Sequence, residues 1–297
     1  PTSTAASLRC SAPCVERTFD VDFVTEVNET VTAIAPDTIK DSSGAHFMNL
    51  QSLLTTRDNG RQASSDLMTL HKSLATANFL TKAFAAETTK IDTTNVHYVG
   101  HSMGSMTGFG FLANESSVKT VTLLNSGSNW AGMLMGSQKY GPTLIKGLAA
   151  VGIEQGSDSF NSFLIAMQTV LESSDPVSYA STVATNHKVY LTKVANDNSV
   201  PNNVLPTFPF TGTEGLVGLM GATTIDTNGT LTDSLYSVND KDVVLNFTKG
   251  VHTTILRPID VDDSNYTDVF TVMQESMVSF VTSDATTLKI SDVNVTQ

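Results

Sequence analysis

Gly100-His101-Ser102-Met103-Gly104 sets a serine between two glycines, after the apolar run Val96 to Gly100 and before a small-residue segment with helical spacing. A serine hydroxyl is a weak nucleophile until a base removes its proton. This pattern suits a sharp strand-to-helix turn that presents the hydroxyl at the top of a sheet, at a helix N-terminus. There the backbone N–H of Met103 is placed to hold a developing oxyanion. The flanking glycines are expected to leave space where the turn passes the neighbouring strand and helix. A five-residue pattern also arises by chance, and the bland alternative is a Gly-rich turn with no chemistry. The strand before it and the helix after it favour the nucleophile.

A base and an acid must then follow. When a turn of this kind carries a nucleophile, the order along the chain is Ser, acid, His, with the His in a loop after the last major strand. His252 follows the run Val243 to Phe247 and is the only histidine C-terminal to His187. Asp197, in the loop after Val189 to Val194, is the expected acid, accepting the imidazole N–H and fixing its tautomer. Asp240 and Asp242 lie nearer His252 but are expected to be solvated turn residues. Asp226 reads as part of an Asp-Thr-Asn-Gly turn. His101 is expected to pack or hydrogen-bond at the turn rather than act as base. His46, His71 and His187 carry no partner signal. His97 and His101 are four apart but flank a strand-to-turn segment, so neither a metal site nor a cofactor is expected.

The elements that would position these groups alternate strand and helix, which argues for a mostly parallel sheet flanked by helices. Residues 1–18 read as a polar arm, Arg17 to Val24 as a short extended segment, and residues 25–45 as loop. A helix is expected from about Arg61 to Ala86, with Ala63, Leu67, Leu70, Leu74 and Phe79 as its apolar stripe. Strands are expected at Val96 to Gly100, Val121 to Ser126, Val189 to Val194 and Val243 to Phe247. A closing helix is expected over 266–281, and Leu288 to Val295 alternates like an edge strand. Residues 128–185 hold no clear strand and are rich in apolar residues at helical spacing. They have the size of a helical cap or lid inserted between core segments 19–127 and 186–297; ordinary surface-packing helices are the alternative.

Bulk properties narrow the classes. The 297 residues carry 17 Lys and Arg and a net charge of −12. No basic run exists, so nucleic acid is not an expected partner. An acidic surface also disfavours adhesion to anionic membranes, so any lipid contact is expected to be apolar and transient. No apolar run is long enough to span a bilayer. Cys10 and Cys14 could close a small disulfide loop in an oxidising compartment, or stay as thiols. Asn114-Glu115-Ser116 and Asn246-Phe247-Thr248 have the glycosylation pattern, but Asn246 falls in an expected core strand.

Three blocks together resemble the bacterial extracellular lipases and surface lysophospholipases of the virulence-factor type, within the α/β-hydrolase superfamily. The first is Phe47-Met48-Asn49-Leu50 through Leu53-Leu54, then Arg57-Asp58-Asn59-Gly60-Arg61-Gln62 and Asp66-Leu67. The second is Val96 through Gly104. The third combines Asp197-Asn198-Ser199-Val200-Pro201 with Gly250-Val251-His252. The resemblance runs from about residue 17 to about residue 282. It implies an α/β-hydrolase fold with a helical cap, and Ser102, Asp197 and His252 as nucleophile, acid and base. It also implies a secreted or outer-surface bacterial enzyme hydrolysing acyl esters of glycerol or lysophospholipid. Arg57 to Gln62 would be structural, anchoring the helix beside the elbow strand.

Two departures stand out. Ser105 replaces the family's second glycine; serine is small, so the turn should survive. The family's early strands and His-Gly oxyanion loop are absent from this sequence. The expectation is therefore a C-terminal portion of a longer hydrolase, with an N-terminal fragment of the same precursor as partner and source of a second oxyanion donor. Acyl transfer to another alcohol would use the same three residues. A non-catalytic hydrolase-fold binding protein is the reading from a different class.

Overall fold

The computed structural model describes residues 25–27, 30–32, 47–50, 52–75, 91–204, 208–227, 234–239, 242–258 and 263–297. The sequence expectations for Cys10, Cys14, Arg17 to Val24, His46, Phe79 and Asp240 lie outside them. The chain divides into two compact units, Pro1–Thr56 and Arg57–Gln297. In the first, β1 (Thr25–Val27) pairs antiparallel with β2 (Thr30–Thr32), so a hairpin occupies part of the segment expected to be loop. Asn49 and Thr56 bind each other locally: the Asn49 N–H donates to Thr56 Oγ1, and that hydroxyl donates back to the Asn49 carbonyl.

Helix α1 runs Leu53–Leu74, beginning eight residues before the expected start. Thr55, Thr56, Asn59 and Gly60 are weak helix formers, and they hid its first two turns. Ala63, Leu67, Met68 and Leu74 are partly buried, whereas Leu70, in helical register with Leu67 and Leu74, is 55% exposed.

The core of the second unit is a five-stranded sheet, parallel throughout, in the order β3-β4-β5-β8-β6. Its strands are β3 (Tyr98–His101), β4 (Thr120–Leu124), β5 (Lys188–Val194), β6 (Thr223–Thr224) and β8 (Val243–Phe247). β4 is buried along its whole length, and β5 and β8 nearly so, as befits parallel strands covered on both faces. Helix α2 (Met103–Thr107) follows β3 and breaks at Gly108 before α3 (Phe109–Asn114).

Between β4 and β5 the chain is helical: α4 (Trp130–Gly136), α5 (Gly141–Ala150), α6 (Asp158–Leu171) and α7 (Ala180–Asn186). Trp130, Met133, Leu144, Leu148, Phe160, Leu164, Met167 and Leu171 are buried there. The fully buried Asp175 ties this segment together. Its carboxylate accepts the N–H groups of Asn129, Trp130 and Val177 and the Gln168 side-chain amide. It thus caps the N-terminus of α4 and anchors it to α6.

Helix α8 (Gly212–Met220) was not legible in the sequence, because Gly212, Gly215 and Gly218 dilute its helical signal. Helix α9 (Ser264–Thr282) closes the chain against β9 (Thr287–Lys289). β9 pairs antiparallel with β7 (Leu235–Ser237) in a separate two-stranded sheet, so the tail is not an edge strand of the main sheet. Beyond β9, Thr296 bridges antiparallel to Phe247. Among the described residues no helix is long and apolar enough to cross a membrane.

Asp242 corrects one expectation. It is not a solvated turn residue: it is partly buried and accepts the Val189 N–H at 3.0 Å. Burial pushes its carboxyl up to about 7, against the opposing pull of the Val189 N–H and nearby Lys188. An acid whose pKa is higher in the folded than in the unfolded state costs stability as pH rises between the two values. The cost is absent below about pH 4, grows through pH 7 and is constant above. Asp242→Asn keeps an acceptor for Val189 and removes that cost. Its thermal midpoint is expected to exceed wild type at pH 8, with the gap closing at pH 4. An equal gap at both pH values would show that burial of the charge is not the cause.

Candidate active site

β3 ends at His101, and Ser102 takes φ 52° and ψ −125° before α2 begins. Positive φ is costly for a non-glycine residue and marks a strained turn. The turn is held by its neighbours. The Ser102 N–H donates to the Leu124 carbonyl of β4 at 2.9 Å, and the Ser102 carbonyl accepts from the N–H groups of Ser105 and Met106. The Ser105 hydroxyl also donates to that carbonyl, so serine at this position adds a bond to the turn.

The two glycines of the pattern differ. A Cβ on Gly100 would stand 2.6 Å from Ser105 Cα and 2.8 Å from Ser105 N, so close approach of α2 to β3 requires glycine. A Cβ on Gly104 would meet nothing within 4 Å. The expectation that both glycines make room therefore holds for Gly100 alone.

His252 lies in the loop after β8, and its Nε2 is 2.8 Å from Ser102 Oγ. Its Nδ1 is 2.6 Å from Asp197 Oδ2. With Nδ1–H donating to the carboxylate, Nε2 presents a lone pair and accepts the Ser102 hydroxyl proton. The three side chains come from 150 residues of separation, and both partners of Ser102 are shielded: side-chain exposure is 9% for His252 and 2% for Asp197.

The Asp197 loop is built to hold a carboxylate. β5 ends at Val194, whose carbonyl accepts the Asp197 N–H and the Asn202 side-chain amide. Asp197 Oδ1 accepts the N–H groups of Ser199 and Val200 at 2.9 and 2.8 Å, leaving Oδ2 for His252. Downstream, the Pro201 and Asn202 carbonyls accept the N–H groups of Thr213 and Glu214, tying the loop to α8.

Met103 is the first residue of α2, where backbone N–H groups have no intrahelical acceptor. That is the place expected for its oxyanion role. His101 does as expected: its Nε2 bonds to the His252 carbonyl at 2.8 Å, and the two rings stand 4.9 Å apart. Burial holds its pKa below the usual histidine range.

Two expectations about other histidines change. His187 is buried and bridges the Leu112 and Val118 carbonyls, fastening the α3–β4 connection. His71 lies 3.3 Å from Glu115, whose carboxyl is pushed down to about 2, chiefly by bonds to Ser117 and Lys72. Asn125, immediately after β4, was not singled out from the sequence. Its Nδ2 donates to the His252 carbonyl at 2.9 Å. The one available signal was an asparagine at the C-terminal end of the strand beside the elbow, where left-handed backbone favours that residue.

The parallel sheet, the elbow after β3, the acid after β5 and the histidine after β8 make this an α/β-hydrolase fold. No family model matches the sequence, and neither does any curated protein. Among solved structures, a puromycin-hydrolyzing peptidase of Mycobacterium tuberculosis is similar at TM-score 0.44 and 13% identity, over 75% of this chain and 25% of that one. An acylaminoacyl peptidase of Pyrococcus horikoshii matches at TM-score 0.34 and 17% identity, over 56% and 21% of the two chains. A puromycin hydrolase matches at TM-score 0.37 and 12% identity, over 66% and 22%. The chain thus spans a quarter or less of these three structures. None of the three is named a lipase, so the lipase resemblance rests on the sequence blocks.

Proposed function

We propose that the chain is a serine-dependent hydrolase of carboxylic esters, acting on acyl chains of the lipase or lysophospholipase class. The observation that carries the reading is the unbroken relay Asp197–His252–Ser102 beneath a strained elbow. Ser102 Oγ attacks the ester carbonyl carbon while its proton passes to His252 Nε2. The resulting oxyanion is held by the Met103 N–H. The C–O bond to the leaving alcohol then breaks, and His252 gives the alcohol oxygen that proton. Water repeats the sequence on the acyl-enzyme and releases the fatty acid.

The fatty-acyl preference is supported by the sequence blocks and by apolar side chains on the helices between β4 and β5. The test is a chain-length series of p-nitrophenyl acyl esters, with a peptidyl p-nitroanilide as the amide arm. Hydrolysis should favour the esters and rise with acyl length, and Ser102→Ala should lower it by about 10,000-fold or more. Cleavage of the anilide in preference to every ester would overturn the ester reading. Ester cleavage undiminished in Ser102→Ala would overturn the nucleophile.

A further inference from the structure

We infer that Asn125 and His101 are positioning residues for the base: together they clamp the main-chain carbonyl of His252 and set where its ring stands between Ser102 and Asp197. The inference rests on the proposed reading of Ser102 as nucleophile.

The His252 carbonyl accepts two hydrogen bonds, from Asn125 Nδ2 at 2.9 Å and from His101 Nε2 at 2.8 Å. A carbonyl has two lone pairs, so both are engaged. Asn125 cannot swivel. Its Oδ1 accepts from Thr192 Oγ1, and its own N–H is directed at Thr192 Oγ1 and the Thr192 carbonyl. Asn125 and Thr192 are both buried, so these bonds do not compete with water. At φ 51° Asn125 also occupies the left-handed region, which asparagine tolerates and most residues do not.

His101 must carry its proton on Nε2 to donate to a carbonyl. The contacts therefore link the C-terminal ends of β3, β4 and β5 to the loop after β8. That loop turns at Gly250 with φ 89°, carries local bonds between Val251 and Thr254, and its Ile255 carbonyl accepts from Gln274. Displacing the carbonyl would swing the imidazole off the line between Ser102 Oγ and Asp197. Misplacement by about 1 Å can cost on the order of 100-fold in rate.

The variants separate the donor from the shape. Asn125→Asp keeps size and backbone preference but turns the donor into an acceptor facing a carbonyl. Asn125→Gly keeps the positive φ and deletes the side chain. His101→Phe keeps a ring without a donor, and His101→Gln restores one. Active sites are titrated with a fluorophosphonate, and kcat and KM are measured on p-nitrophenyl butyrate, alongside thermal midpoints.

Asn125→Asp, Asn125→Gly and His101→Phe should lower kcat per titrated site by about 10- to 100-fold with KM little changed. His101→Gln should recover most of the loss, and the fall in kcat per titrated site should persist at temperatures well below each variant's thermal midpoint, where the variants are folded. If Asn125→Asp fails to fold, Asn125→Gly and His101→Phe decide. Unchanged kcat per titrated site in the folded variants, with wild type labelled on Ser102, would overturn this inference alone. Wild type that takes no label would instead overturn the nucleophile reading.

Discussion

Asp197→Asn is expected to lower kcat by roughly 10,000-fold while leaving the protein folded. Oδ1 of Asp197 accepts two backbone N–H groups, from Ser199 and Val200. An asparagine will therefore keep its carbonyl oxygen there and turn its amide toward His252. An amide N–H facing Nδ1 forces the proton onto Nε2. Nε2 then points a hydrogen at Ser102 Oγ, where it must instead take one. The loop retains its own bonds, so the thermal midpoint should stay near wild type. Steady-state kinetics on a p-nitrophenyl ester would check this. A loss of less than about tenfold would mean that Asp197 does not fix the tautomer.

Gly100→Ala and Gly104→Ala should differ sharply, although both alter the same five-residue pattern. The added Cβ at Gly100 would lie under 3 Å from three backbone atoms, Ser105 Cα, Ser105 N and Gly104 O. Backbone cannot rotate aside, so α2 must move from β3 and carry Ser102 with it. Overpacking of this kind costs about 1–3 kcal/mol or more, and the displaced nucleophile should lose most activity. At Gly104 the Cβ enters open space on a helix, where alanine is favoured over glycine by up to about 1 kcal/mol. Gly104→Ala should therefore melt at or above wild type. Thermal melts and ester turnover of the pair would decide. Equal effects at the two positions would contradict the steric origin of the elbow's shape.

The elbow was readable because its signal is local: strand, glycine, serine and helix are contiguous. The histidine that stands beside Ser102 was readable by elimination, since His252 alone follows the last strong strand. What the sequence did not show is long-range. Asn125 acts through contacts with Thr192 and His252, 67 and 127 residues away, and no spacing rule reports such pairs. Asp242 reads as a turn residue because it precedes a strand, yet packing buries it beside Val189. Helix α8 escaped notice because three glycines blur its period, and Leu70 is exposed although it shares helical register with Leu67 and Leu74. Asp175 sits among serines and a proline that look like loop, while in the fold its four accepted bonds organise α4 and α6.

The most direct measurement is the intact mass of the protein after reaction with a fluorophosphonate, followed by peptide mapping, on wild type, Ser102→Ala and His252→Ala. A single adduct on Ser102 in wild type is expected, with none in Ser102→Ala and strongly slowed labelling in His252→Ala. An unlabelled wild type, an adduct on any other residue, or labelling indifferent to the loss of His252 would contradict the assignment of Ser102 as a nucleophile activated by that histidine.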